Sequence, residues 1–117
     1  MVTPTAGSVV LVPFPFSDLS RAKLRPAVVL AGTGRGDWIL CQVTSNPYGD
    51  SNSIEITDDS VDSGSLRITS YARAGKLFTA NQDLMISQVA ILNSASFKTI
   101  IEAVIDIFPN SLTSSIQ

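Results

Sequence analysis

The 117-residue chain has no histidine and one cysteine, Cys41. Without imidazole, the usual pair of histidines that moves protons during RNA or ester cleavage is excluded. A lone cysteine cannot form an internal disulfide framework, and without histidine a structural zinc site has no ligand set. Cys41 stands inside an apolar run and reads as a small core residue rather than a nucleophile. Charge is also scarce, at 15% of residues, with eight Lys and Arg against ten Asp and Glu and a formal net charge of −2. A polycation that holds nucleic acid by bulk charge is therefore excluded. No apolar run is long enough to span a bilayer and no secretory signal is visible, so the expectation is a cytoplasmic protein with no membrane role. The acids Asp58, Asp59 and Asp62 resemble a solvated turn more than an octahedral magnesium site, so no metal and no cofactor are expected.

What remains is a 44% hydrophobic chain of single-domain length, residues 1–117, with 1–6 and 111–117 expected to be flexible ends. So few charges beside so much apolar material suggest that a partner covers part of the surface. The cations are unevenly placed. Arg21, Lys23, Arg25, Arg67, Arg73 and Lys76 fall within 21–25 and 67–76, while the acids are scattered. If the two basic segments meet, they form a local anion site on an acidic chain. If they do not, they are solvated loop charges.

The pattern predicts short strands followed by one helix. Ser8–Val12 is β-branched and apolar, and Pro13 and Pro15 then remove backbone donors. Arg21, Lys23 and Arg25 alternate, so an extended chain points them to one side. Pro26 biases Arg25 towards extended geometry and leads into a buried strand, 27–31. The glycine-rich stretch 32–36 reads as a hairpin connection. In 37–45, alternation sets Ile39, Cys41 and Val43 towards the core and leaves Gln42 and Thr44 on the other face. Ser53–Thr57 is a short strand with Ile54 and Ile56 inward, 58–64 a polar loop, 66–73 a strand and 76–79 a brief extended piece. Phe97, Ile100, Ile101, Val104, Ile105 and Phe108 form one buried stripe on a helix from Ser94 to Phe108, with Ser94 as N-cap and Pro109-Asn110 as stop. This stripe suits intramolecular packing or a dimer seam. Strands then helix suggest a mainly β fold with a C-terminal helix, a small bent sheet or barrel.

Four ordered blocks carry a resemblance. The strand, PFPFSD, a short loop and LRP-VVL come first, followed by ILCQVTSNPY, then SYARAGKLFT, then the amphipathic helix. Together they resemble the PemK/MazF family, the ribonuclease toxins of bacterial toxin–antitoxin pairs, over nearly the whole chain. The resemblance implies an SH3-like barrel, a homodimer and a cognate antitoxin as partner. It also implies a metal-independent, sequence-specific endoribonuclease that cuts single-stranded RNA, leaving a 2′,3′-cyclic phosphate and a 5′-hydroxyl, and so inhibits translation.

By residue type alone, Arg25 reads either as a phosphate-gripping cation or as cover for an adjoining Asp. Thr44 reads either as a strand former or as a hydroxyl with work to do. The resemblance matches Arg25 to the family's catalytic Arg and Thr44 to its catalytic hydroxyl residue. Arg21, Lys23, Arg73 and Lys76 are candidate phosphate contacts, and Phe16 and Tyr71 candidate base-stacking residues. Asp18 is a weaker candidate for a base. The chain departs from the family at Ile68-Thr69, where relatives often read Lys-Pro, and at Arg73, near which some carry an acid. Both departures bear on which RNA sequence is cut. Apart from the enzyme, two classes stay open: a barrel that binds RNA or a peptide without cleaving, and a structural dimer.

Overall fold

A computed structural model describes residues 2–15 and 22–116. Phe16, Asp18 and Arg21 lie outside the described residues. Seven strands are present: β1 (Ser8–Pro15), β2 (Ala22–Gly34), β3 (Asp37–Thr44), β4 (Ser53–Ile56), β5 (Val61–Gly64), β6 (Ser70–Asn81) and β7 (Ser87–Leu92). Two helices follow, α1 (Ser94–Ile105) and α2 (Ile107–Ile116). The strands form one antiparallel sheet in the order β4-β6-β3-β2-β1-β7-β5.

The edge strands β4 and β5 are neighbours in sequence, separated only by Thr57 and a 3-10 turn at Asp58–Ser60. A linker that short spans at most about 18 Å when fully extended. The two edges must therefore come together, and the sheet rolls. Its hydrogen-bonded ladders run from β4 to β5 without a pairing between those two among the described residues. The mainly β fold with C-terminal helix expected from the sequence is what is found.

Rolling gives the sheet two apolar faces. One gathers Val9, Val28, Leu30, Cys41, Val43, Ile56, Ala72, Ala90 and Leu92 around Ile100 of α1, which is fully buried. The other gathers Val10, Val12, Ala27, Val29, Leu40, Ala80 and Met85, with Phe14, Trp38 and Phe78 against it. Strict alternation explains both sets, since neighbouring residues in β1, β2 and β3 point oppositely. The hairpin between β2 and β3 turns on Arg35 and Gly36, both at positive φ (58° and 81°), as a two-residue primed turn requires.

Several sequence expectations need correction. Residues 58–64 are not a loop: after the 3-10 turn, β5 pairs with β7. The strand expected at 66–73 starts only at Ser70, because Arg67 sits at φ 66° and turns the chain. That strand then runs on through Gly75 to Asn81, with an irregularity between Ala72 and Leu77 absorbing the extra residues. Asn93, not Ser94, caps α1, its side-chain oxygen accepting from the Ser96 N–H at 2.9 Å. Pro109 does not stop the helix. The chain turns at Asp106 and restarts, placing Pro109 in the first turn of α2, where no donor is missed. Helix α2 continues through residues 111–116. The stripe divides accordingly: Phe97, Ile100, Ile101 and Val104 pack into the core, while Ile105 and Phe108 are 57% and 58% exposed.

Candidate active site

Register brings the principal candidates onto one face. Val12 of β1 pairs with Arg25 of β2, and Thr44 of β3 pairs with Tyr71 of β6. The β2–β3 ladder ends at Ala27↔Gln42, and two residues further along the same register stand Arg25 and Thr44. These two thus stand on adjacent strands just past the end of their shared ladder, Arg25 near the start of β2 and Thr44 at the end of β3. Alternation puts Arg25 on the side of Ala27 and Val29, and Thr44 on the side of Leu40, which is the face opposite α1. Lys23, paired with Phe14, shares that side. Lys23 and Arg25 are exposed, and Thr44 and Tyr71 are half-buried. An apolar floor thus ends in a polar, cationic rim, and among the described residues no helix contributes to that floor.

Thr44 also closes a turn. Its hydroxyl donates to the Asn46 carbonyl at 3.1 Å and accepts from the Asn46 N–H at 3.2 Å. The proton is thereby occupied, and the remaining lone pair can accept from a ligand hydroxyl.

Arg73 lies two residues beyond Tyr71 on β6 and is committed: its Nε donates to Asp50 Oδ2 at 2.9 Å, with both side chains largely covered. The Arg73 hydrogen bond, helped by the Asn52 N–H, holds the Asp50 carboxyl below its ordinary range. Lys76 adds a weaker pull on the same carboxyl. The second basic segment therefore does not act as a unit. Arg73 and Lys76 share an acid, and Arg67 lines a separate cavity of about 300 Å³ with Asp58 and Asp59.

Further along the face, the rings of Phe14 and Phe78 meet edge to face, with centroids 4.7 Å apart. They line an apolar cavity of about 280 Å³ with Val12, Ala80 and Leu84. Cys41 points into the other core, and burial pushes its thiol up to about 12, so it is no nucleophile at neutral pH. Among the described residues, no three acid or thiol side chains gather into a metal-ligand set. No helix among them is long and apolar enough to cross a membrane.

Glu55 is the residue that sequence reasoning passed over. Ile54 and Ile56 point into the core beside α1, so Glu55 must point away, and it pairs with Tyr71. Alternation in Ser53–Ile56 could have shown the direction, but only the pairing of β4 with β6 shows its neighbours.

A family model described as "PemK-like, MazF-like toxin of type II toxin-antitoxin system" matches residues 5–108. No curated protein matches the chain in sequence. Among solved structures, a MazE–MazF complex from Deinococcus radiodurans superposes with a TM-score of 0.73 at 18% identity, covering 93% of this chain and 98% of that one. An endoribonuclease in complex with its cognate antitoxin from a mycobacterial species gives 0.68 at 14%, covering 87% and 91%. The Mycobacterium tuberculosis toxin MazF-mt6 gives 0.67 at 13%, covering 87% and 96%. At such identities the superpositions show the fold, and the family rests on the sequence match over residues 5–108. The chain belongs to the PemK-like, MazF-like family of toxins of type II toxin–antitoxin systems.

Proposed function

We propose that the chain is a toxin acting as a metal-independent endoribonuclease on single-stranded RNA, with selectivity for a short sequence. The observation that carries this reading is the alignment of exposed Arg25 with half-buried Thr44 and Tyr71 on one uncovered face. Arg25 offers a planar fork to phosphate oxygens, and Tyr71 offers a ring on which a base can stack. Lys23 lies two residues from Arg25 on the same side and adds a backbone contact. Base edges are accessible only where RNA is unpaired, hence the single-strand preference.

The chemistry follows from what the chain owns. With no imidazole, the cheapest nucleophile is the RNA's own 2′-hydroxyl, already tethered beside the phosphorus. Attack leaves a 2′,3′-cyclic phosphate and a 5′-hydroxyl. Arg25 stabilises the charge that grows on the phosphate, an effect worth about 3 kcal/mol for a well-placed donor. Thr44, whose hydroxyl proton is engaged by the Asn46 carbonyl, keeps one lone pair with which to hold a donor of the bound nucleotide and so position the ribose.

The chain works as a homodimer and is silenced by its antitoxin, a disordered segment with acids and apolar anchors that orders across the same face. Two of the structurally similar proteins are in complexes, one an endoribonuclease with its cognate antitoxin and one MazF with MazE, which supports the pairing. The Arg73–Asp50 pair and the turn-bound Thr44 hydroxyl favour a second reading, an RNA-binding or peptide-binding barrel that does not cleave. Incubation with a long unstructured RNA in a chelator decides between them. Cleavage that Arg25→Ala abolishes is expected; retention of RNA on the protein without cleavage would establish the binder.

A further inference from the structure

The row holding Arg25, Thr44 and Tyr71 continues one strand further. Tyr71 is paired on one side with Thr44 and on the other with Glu55. Residues directly opposite in antiparallel strands share a face, so Glu55, Tyr71 and Thr44 lie side by side. Thr44 and Glu55 are two strand spacings apart, about 10 Å between backbones, and both side chains leave the same face, one on either side of Tyr71. Glu55 is exposed, and its strand neighbours Ile54 and Ile56 are sunk in the opposite core, so the carboxylate stays on this face.

The other described acids are placed differently. Asp50 is bound by Arg73 at 2.9 Å, and Asp37 accepts from Asn81 Nδ2 at 3.0 Å. Asp58 accepts from the Ser65 hydroxyl at 3.1 Å, in the 3-10 turn beyond β4. Asp59 shares that turn, Asp62 is on β5 and Asp83 in the turn before β7, while Glu102 and Asp106 belong to α1 and its end. Among the described residues, Glu55 is the acid on the row.

We propose that Glu55 is the proton acceptor for the attacking 2′-hydroxyl. The inference rests on the RNA-cleavage reading and deepens it. With a phosphate at Arg25 and the ribose lying towards Tyr71, the 2′-hydroxyl faces the β4 side. Its proton passes to a Glu55 carboxylate oxygen as the O2′–P bond forms. The P–O5′ bond breaks, and the departing O5′ takes a proton from solvent water. The charged and titratable groups around Glu55 are Tyr71 and Arg73 of β6, with Lys76 beyond them. Lys98 and Glu102 belong to α1, which packs on the other face. A carboxylate beside the RNA phosphates repels them, so binding alone does not favour an acid at this position. Proton transfer does.

The test is single-turnover cleavage by wild type, Glu55→Gln and Glu55→Asp across about pH 5 to 9, together with affinity for an RNA carrying 2′-deoxyribose at the scissile position. Glu55→Gln is expected to slow cleavage by about 100-fold or more and to flatten the rise of rate with pH on the acid side, with Glu55→Asp recovering part of both. Deoxy-RNA affinity should be unchanged or tighter, because the substitution removes a negative charge. Glu55→Gln at the wild-type rate, or slowed with its acid limb intact or its affinity lost, overturns the inference and leaves the cleavage reading standing. Absence of cleavage by the wild type overturns both.

Discussion

Arg25 and Arg73 carry the same guanidinium and end in different situations. Arg73 is bonded to Asp50 and largely covered, whereas Arg25 is exposed at the head of its strand. Of the two roles open to any Arg, Arg73 takes the cover for an acid, and phosphate grip is the role proposed for Arg25. The Asp50–Arg73 pair has a pH signature. Because the Asp50 carboxyl is held below 3.8, its contribution to stability is complete above that value. It is lost as pH falls through the lower folded-state value. Asp50→Asn should therefore melt slightly below wild type at neutral pH, by well under about 1 kcal/mol, because both partners keep some contact with solvent. Melting curves of the two proteins should converge below pH 3.8. A gap that persists unchanged into acid would contradict this account.

At the scale of elements, β5 depends on one glycine. Gly64 is at φ 77°, and a side chain there would run into the backbone carbonyl of Val89 and come within 2.7 Å of the Ala90 Cα on β7. Gly64→Ala should cost about 2 kcal/mol or more, since neither obstacle is a flexible side chain. Gly34→Ala meets nothing within 4 Å and should cost less, although its φ is also positive. Comparing the two chemical denaturation midpoints checks this, and equal losses would argue against the close β5–β7 approach. The same region marks the limit of what the sequence shows. Period-two patterns identify β1 to β4 and the inward faces of Cys41, Val43, Ile54 and Ile56, because local geometry alone sets them. β5 has no such pattern, since Val61–Gly64 is held by Thr57 capping, Asn93 and the partner strand rather than by its own apolar alternation. The second helix escapes for a related reason, as Pro109 reads as a stop unless the turn at Asp106 is known. In the site, Arg25 and Thr44 are legible from their motif blocks. Glu55 is not, because its significance comes from pairing with a strand 14 or more residues away in sequence.

For the molecule as a whole, part of the exposed apolar surface lies where the helices leave the core. Ile105, Phe108 and Leu112 are 57%, 58% and 65% exposed, at helical spacing along the junction of α1 and α2. This exposed stripe agrees with the low charged fraction of the chain and supports the proposed self-association. Phe108→Glu should shift sedimentation from dimer towards monomer at micromolar concentration while leaving the β-sheet signal in circular dichroism unchanged. A wild-type monomer under those conditions would contradict the homodimer.

In the proposed reaction this face cuts RNA through the RNA's own 2′-hydroxyl, with Arg25 stabilising the phosphate. Its most direct measurement is cleavage, in a chelator, of a substrate whose scissile nucleotide alone carries hydrogen in place of that hydroxyl. The account expects the deoxy substrate to bind as the normal one does and to remain intact, while the normal substrate yields 2′,3′-cyclic phosphate and 5′-hydroxyl ends. Cleavage of the deoxy substrate, or products bearing a 5′-phosphate, would contradict it and point to an activated water as the nucleophile.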